Sequence, residues 1–449
     1  MFDLDTPFFH ALARSLAQAT LAGGVSFGLG WPAGVAAGVW NFPGRRALIL
    51  VTALPLLLPS FLVAIGLSLL WRGFGGLGAS IWSFACSGVP LVFFATLAAT
   101  STVTRGQADA ARLAGGERLL FRLTLRGTRP LATLAAVLAG VLTLADVGPG
   151  QIFGWHSAAS ELLISFAARY DRALATHQAL TLAIVAAVCA WPLVWRLAPL
   201  LTTSLLSRDT AKIVRSSRPM ASFALAAIVL GLVVFPLAGL LRPLLGHVWP
   251  LARAWSEIAR TWADTVLYAV LAAGFAVAVG FVAAAHAWRS AQRHRLAVAA
   301  ALALFALPPV LPSLWLIPFS SRFTVGVALA LRCVPVAVLF GLRAFGAMPL
   351  SWVDAAAVHG VPRWVFALRV TLPWLGRWAA PAAVLAALLA TAEIGTVLLL
   401  HPPGHGTLPL AIFTVMANAP EALVAALCLL YVGLVAVLGG IVTVSRPSI

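Results

Sequence analysis

Apolar residues in this chain fall into long blocks separated by short breaks that carry Gly, Pro or Arg. The blocks match the roughly 20 residues an α-helix needs to cross a bilayer. They predict eleven membrane-spanning helices, at 16–40, 47–71, 80–104, 131–150, 174–195, 221–241, 262–287, 297–319, 323–346, 377–400 and 422–444. The stretch from Ser160 to Tyr170 is apolar but too short to cross, and predicts a re-entrant or interfacial helix. No basic stretch with a small-residue cleavage site precedes the first block, which is therefore read as a membrane span and not as a signal peptide. The expected fold class is all-α, a polytopic transmembrane helical protein.

Composition strengthens this reading. Hydrophobic residues make up 61% of the 449 and charged residues 10%, against roughly a quarter charged in soluble domains; the mean hydropathy is +0.99. The net charge of +17 comes almost entirely from arginine, since Lys212 is the only lysine. These arginines do not gather on a hydrophilic arm, as a nucleic-acid binder would require, but sit in short loops between apolar blocks. Cytoplasmic loops are enriched in Lys and Arg. With the N-terminus outside, the inner segments hold 21 of them and the outer segments 8, which predicts N-out and C-in topology. The four cysteines, Cys86, Cys189, Cys333 and Cys428, lie in apolar stretches without metal-type spacing and are read as packing residues.

An internal repeat runs through most of the chain. Gln107-Ala-Asp109-Ala110-Ala111-Arg-Leu-Ala-Gly115 returns as Trp352-Val-Asp354-Ala355-Ala356-Ala-Val-His-Gly360, an offset of 245 that Val89-Pro90 and Val334-Pro335 share. Leu54-Pro55 with Pro59-Ser60 matches Leu307-Pro308 with Pro312-Ser313 at 253, and Asp146-Val-Gly148 matches Glu393-Ile-Gly395 at 247. The expected organisation is a first half at 1–205, a second at 251–449, and between them, at 206–250, a basic linker with an extra helix. Five helices per copy would insert the second copy inverted. The spare helix at 221–241 restores parity, giving two parallel, pseudo-symmetric halves with both Asp-Ala-Ala segments cytoplasmic.

Those segments, at 105–130 and 350–373, read as paired short helices bent at a glycine, a shape suited to pressing into a partner's groove. Asp354, Ala355, Ala356, Gly360, Val370, Leu372 and Pro373 resemble, at full spacing, the Glu-Ala-Ala signature of permease subunits from ATP-driven, binding-protein-dependent importers. The fused members of that family, among them ferric-iron and thiamine permeases, carry two halves in one chain. The first copy keeps Asp109, Ala110, Ala111 and Gly115, but Gly127 and Thr128 stand where Leu-Pro belongs, and the nearest proline is Pro130.

The resemblance implies a type I ABC importer permease fold in a bacterial inner membrane, N-terminus periplasmic. It implies that both segments couple to two ATP-binding cassette subunits on the cytoplasmic face, and that a periplasmic binding protein delivers the solute. ATP and Mg would be bound by the partner subunit, with no cofactor in this chain. A Walker A loop requires Gly-x-x-x-x-Gly-Lys-Ser/Thr; the context of Lys212 does not supply it, so no ATPase site of its own is expected.

Asp146 and Glu393 are the candidate pathway residues, because an ionised carboxylate inside a membrane is expensive enough to point to function. Facing one another across a central cavity they would attract a cation; the alternative is that each braces backbone near Gly148 or Gly395. Arg332, also intramembrane, is expected to pair with Glu393 or with lipid phosphate. His401 and His405 lie in an outer loop with no Cys or carboxylate nearby in sequence, and no metal site is assigned to them. Pro59-Ser60 and Pro312-Ser313 predict helix kinks. No catalytic grouping can be assembled. An ion-coupled secondary transporter would explain the helices and acids but not the duplicated cytoplasmic segments. A membrane-embedded transferase would need an acidic Mg-binding cluster that the sequence lacks.

Overall fold

A computed structural model describes residues 6–206, 215–245, 250–288 and 290–444. Arg208, Lys212, Arg289 and Arg446, counted above in the inner loops, lie outside them. The first stretch comprises α1 (Thr6–Val39), β1 (Trp40–Asn41), α2 (Arg45–Ala53), α3 (Ser60–Leu70), α4 (Gly76–Ala99), α5 (Arg105–Thr143), α6 (Gly148–Phe153), α7 (Ala158–Leu163) and α8 (Arg172–Leu206). After β2 (Ser216–Ser217) come α9 (Met220–Val229) and α10 (Phe235–Leu241), joined by a π-helical turn. The second stretch comprises α11 (Leu251–Ala287), α12 (Ala291–Ala306), α13 (Val310–Leu316), α14 (Arg322–Gly346), α15 (Leu350–Val358), α16 (Arg363–Phe366), α17 (Leu372–Ala392), α18 (Ile394–Leu400), α19 (Leu408–Val415) and α20 (Glu421–Val444).

The chain is an all-α, multi-pass membrane protein. Eight of its described helices are long and apolar enough to cross a bilayer, and two strongly bent pairs, 45–57 with 60–70 and 291–306 with 310–319, raise the number to ten. The bends are 104° and 80°. The eleventh expected span corresponds to α1, which has 34 residues and so the length to cross. It carries Ser15, Gln18 and Ser26 buried inside the bundle and is correspondingly less apolar. Two other expected spans are broken, because α5 ends at Thr143 and α17 at Ala392, short of the predicted 150 and 400. The 160–170 segment is α7 continued by a π-helical turn to Ala168, and it packs on α1 and α8.

Element order recurs: α1, α4 and α5 pack on one another, as do α11, α14 and the α17 end of the corresponding segment. Small residues bring these helices together, as membrane interfaces favour. A Cβ on Gly30 or Gly34 of α1 would come within 2.7 and 2.6 Å of the Val89 and Phe93 carbonyls of α4. The last helix of each stretch crosses to the other. α8 lies on α12, α13 and α14, and α20 lies against α10 and the Leu54–Leu57 turn. Two apolar clusters fasten this exchange, one joining Phe61, Leu240, Ile412 and Tyr431, the other Leu138, Ala190, Val298 and Leu342. Cys86, Cys333 and Cys428 are buried, whereas Cys189 is exposed on α8 and does not pack as expected.

Candidate functional site

Four helix interruptions converge at the centre. They lie at Leu58–Ser60, between α5 and α6, at Leu307–Val310, and between α17 and α18. Residues from all four line one cavity of about 190 Å³. Irregular backbone at membrane depth is tolerated where it lines a cavity or is buried in protein.

Asp146 and Glu393 stand in two of these breaks. Asp146 Oδ1 accepts from the Gly148 N–H at 3.0 Å and Glu393 Oε1 from the Gly395 N–H at 3.1 Å, so Glu393 is the N-cap of α18 and Asp146, one residue before the N-cap of α6, takes up the first N–H of that helix. Their other oxygens differ in partner. Asp146 Oδ2 accepts from the Ser60 hydroxyl, whereas Glu393 Oε2 lies 3.8 Å from Arg332 Nε. Arg332 in turn donates to the Phe305 carbonyl at 2.7 Å and sits over the Phe305 ring at 5.0 Å. A kink therefore frees backbone carbonyls, and the guanidinium of α14 takes one up. All of these groups border the same cavity, which joins both readings of the acids: they brace backbone and they face a shared space.

A second cavity of about 540 Å³ abuts the first, bordered by Gln151, Trp155, His156 and the α7 segment. Leu163 and Leu398, one from each half of the chain, border both cavities. Beside the larger cavity Glu161, buried, is held by His156 Nε2 at 2.8 Å and Arg169 at 3.0 Å. At the corresponding end of the second stretch Asp264 holds His405 at 3.1 Å, with Arg322 at 3.7 Å. Sequence reasoning found neither acid. Asp264 is 141 residues from His405, and the only local signal was charge next to an apolar helix.

The Asp-Ala-Ala segments form two exposed arms. The first is the opening of α5, capped by a reciprocal Thr104–Gln107 pair and broken at Gly115 and Gly116. Gly116 has φ +67°, so the left-handed residue of this bend is Gly116, one position beyond the motif glycine. The second arm is α15, ended by Gly360 at φ +63° and closed by the Val361 N–H donating to the Ala356 carbonyl at 2.9 Å. Asp109, Ala110, Asp354 and Ala355 are exposed, Ala111 is buried and Ala356 half-buried. Val370 lies in a π-helical turn, and Leu372 and Pro373 open α17, whereas the first segment runs through Pro130 without interruption. Leu113 is 90% exposed and Val358 83%, and they occupy positions 245 apart. No protein-family profile, curated protein or solved structure matches this chain.

Proposed function

We propose that this chain is the permease subunit of an ATP-driven, binding-protein-dependent importer, of the fused type that its cytoplasmic signature resembles. The observation that carries this reading is the pair of arms. Each presents Asp-Ala-Ala at equivalent positions and ends its helix with a large apolar side chain, Leu113 or Val358, almost wholly exposed. A single exposed apolar side chain is ordinary, but the same display at repeat-equivalent positions beside Asp-Ala-Ala suits a docking surface used twice, and two copies suit two identical ATP-binding subunits. A periplasmic binding protein would hand its solute to the opposite face, and the central cavity would carry it across. Arg332 lies 3.8 Å from Glu393, while Asp146 accepts from the Ser60 hydroxyl and the Gly148 N–H. Two carboxylates share this cavity with one guanidinium, a balance that favours a cationic solute, in keeping with the ferric iron or thiamine of the fused permeases.

Co-purification with a co-expressed candidate ATPase subunit tests this. Burying Leu113 and Val358 contributes about 1.5–3 kcal/mol each, and both are exposed, so Leu113→Asp/Val358→Asp removes docking energy while leaving the fold intact. Wild type is expected to retain two ATPase copies and the double variant to lose them at unchanged monodispersity. If wild type retains none, the importer reading fails and the acids of the cavity favour an ion-coupled secondary transporter.

A further inference from the structure

Glu117 lies outside the Asp-Ala-Ala pattern and sits where the first arm meets the rest of the chain. Its Oε1 accepts from Arg112 Nε at 2.7 Å and its Oε2 from Trp40 Nε1 at 3.0 Å, with the side chain 13% exposed. Arg112 belongs to the arm before the Gly115–Gly116 break, Glu117 is the first residue after it, and Trp40 follows the end of α1. One carboxylate therefore spans three elements. The Trp40 ring also stacks on Phe121, 4.8 Å away and 9° from parallel, one turn beyond Glu117. Along the arm Asp109 lies 3.8 Å from Arg105 and 3.4 Å from Arg112. An alternating charge series thus leads from its first turn to Glu117.

The receiving end is itself fastened. Trp40 and Asn41 pair with Ser216 and Ser217 of the inter-half segment. Arg45 and Arg215 donate to the Ala37 and Gly38 carbonyls at the C-terminus of α1, where cations suit the helix dipole. Among the described residues the second arm carries no acid at the place of Glu117. Displaced by the 245 that the two arms share, Arg112 and Glu117 correspond to Ala357 and Pro362. Its attachment is aromatic instead: Trp352 meets Trp374 edge to face at 5.4 Å, and Trp374 Nε1 donates to the Ala344 carbonyl at 2.9 Å.

We propose that Glu117 is the positioning residue of the first arm, clamping it across its glycine break to the end of α1 so that movement of the arm is passed to that membrane helix. The part played by the arm rests on the docking reading above; the clamp itself is a property of this chain. Hydrogen–deuterium exchange on the full chain in lipid nanodiscs tests it. In Glu117→Ala, exchange across 105–114 is expected to quicken about tenfold, the change in local opening for one lost charge-assisted hydrogen bond, with 350–358 unaltered. Glu117→Gln keeps an acceptor oxygen without the charge and is expected to recover part of the protection.

In the chain assembled with its ATPase, a Ser87→Cys reporter in the central cavity, in a Cys189→Ala background, is expected to change its labelling rate on addition of ATP. Glu117→Ala should abolish that response while the ATPase stays bound. Unaltered exchange in 105–114, equal quickening of both arms, or an ATP response that survives each overturns the proposal. If the wild-type chain holds no ATPase, the docking reading fails, and the exchange result alone decides whether Glu117 clamps the arm.

Discussion

Arg332→Met removes the countercharge of Glu393 while keeping an unbranched chain in place of the arginine stem. Both members of the pair are mostly buried, with 18% and 16% of their side chains exposed, so the loss leaves a carboxylate in a poorly solvated site. Breaking a buried pair by removing one partner costs about 3–5 kcal/mol. The 3.8 Å separation is long, which places this case at the lower end, about 3 kcal/mol. The Phe305 carbonyl, which receives 2.7 Å from Arg332 Nη1, loses its donor as well. Glu393→Gln alone keeps an oxygen for the Gly395 N–H but strands the guanidinium. The double variant Arg332→Met/Glu393→Gln strands neither charge, and replacing both members of a buried pair is often close to neutral. A double-mutant cycle by denaturant unfolding in mixed micelles should therefore return a coupling of about 1–3 kcal/mol, with the double variant more stable than Arg332→Met. Strictly additive effects would show that Arg332 and Glu393 do not depend on one another and would refute the pairing.

Two further outcomes follow from the geometry. If Leu163 and Leu398 separate the two cavities, Leu163→Ala/Leu398→Ala joins them, so a charged thiol reagent added on the side of the larger cavity should label Ser87→Cys, in a Cys189→Ala background, at least about tenfold faster, a loss of barrier near 1.4 kcal/mol; equal rates would rule out a barrier at these leucines. Gly360→Ala places a Cβ on a residue at φ +63°, which costs about 1–2 kcal/mol and should speed amide exchange at Val361 by about tenfold, whereas an unchanged rate would mean that the end of α15 does not need the left-handed turn.

Apolar blocks revealed where the helices run because lipid exposure requires long apolar segments whatever the tertiary contacts. They did not reveal where the helices break. A kink was expected at Pro312, but the chain bends at Leu307–Pro309. Pro309 caps α13, which places Pro312 in the first turn, where a missing N–H leaves no hydrogen bond unmade. Pro59, by contrast, caps α3 and does mark its bend. The acid-x-Gly pairs were readable because a carboxylate two residues before a glycine is local capping chemistry. Arg332 with Phe305, Glu161 with His156, and Glu117 with Trp40 were harder. Glu117 and Trp40 are 77 residues apart, and such contacts exist only once helices have packed.

Because all four breaks meet at one cavity while α4 and α14, which also line it, run unbroken, the stiffness of this protein is unevenly distributed. The long helices behave as rods, and the compliant joints between them are gathered into the wall of a single small chamber. Whatever enters that chamber presses on the joints themselves. In the permease proposed here, loading and flexing would then be one mechanical event, and a molecule of the wrong size would be rejected because the rods could not close around it, even where no individual contact discriminates against it.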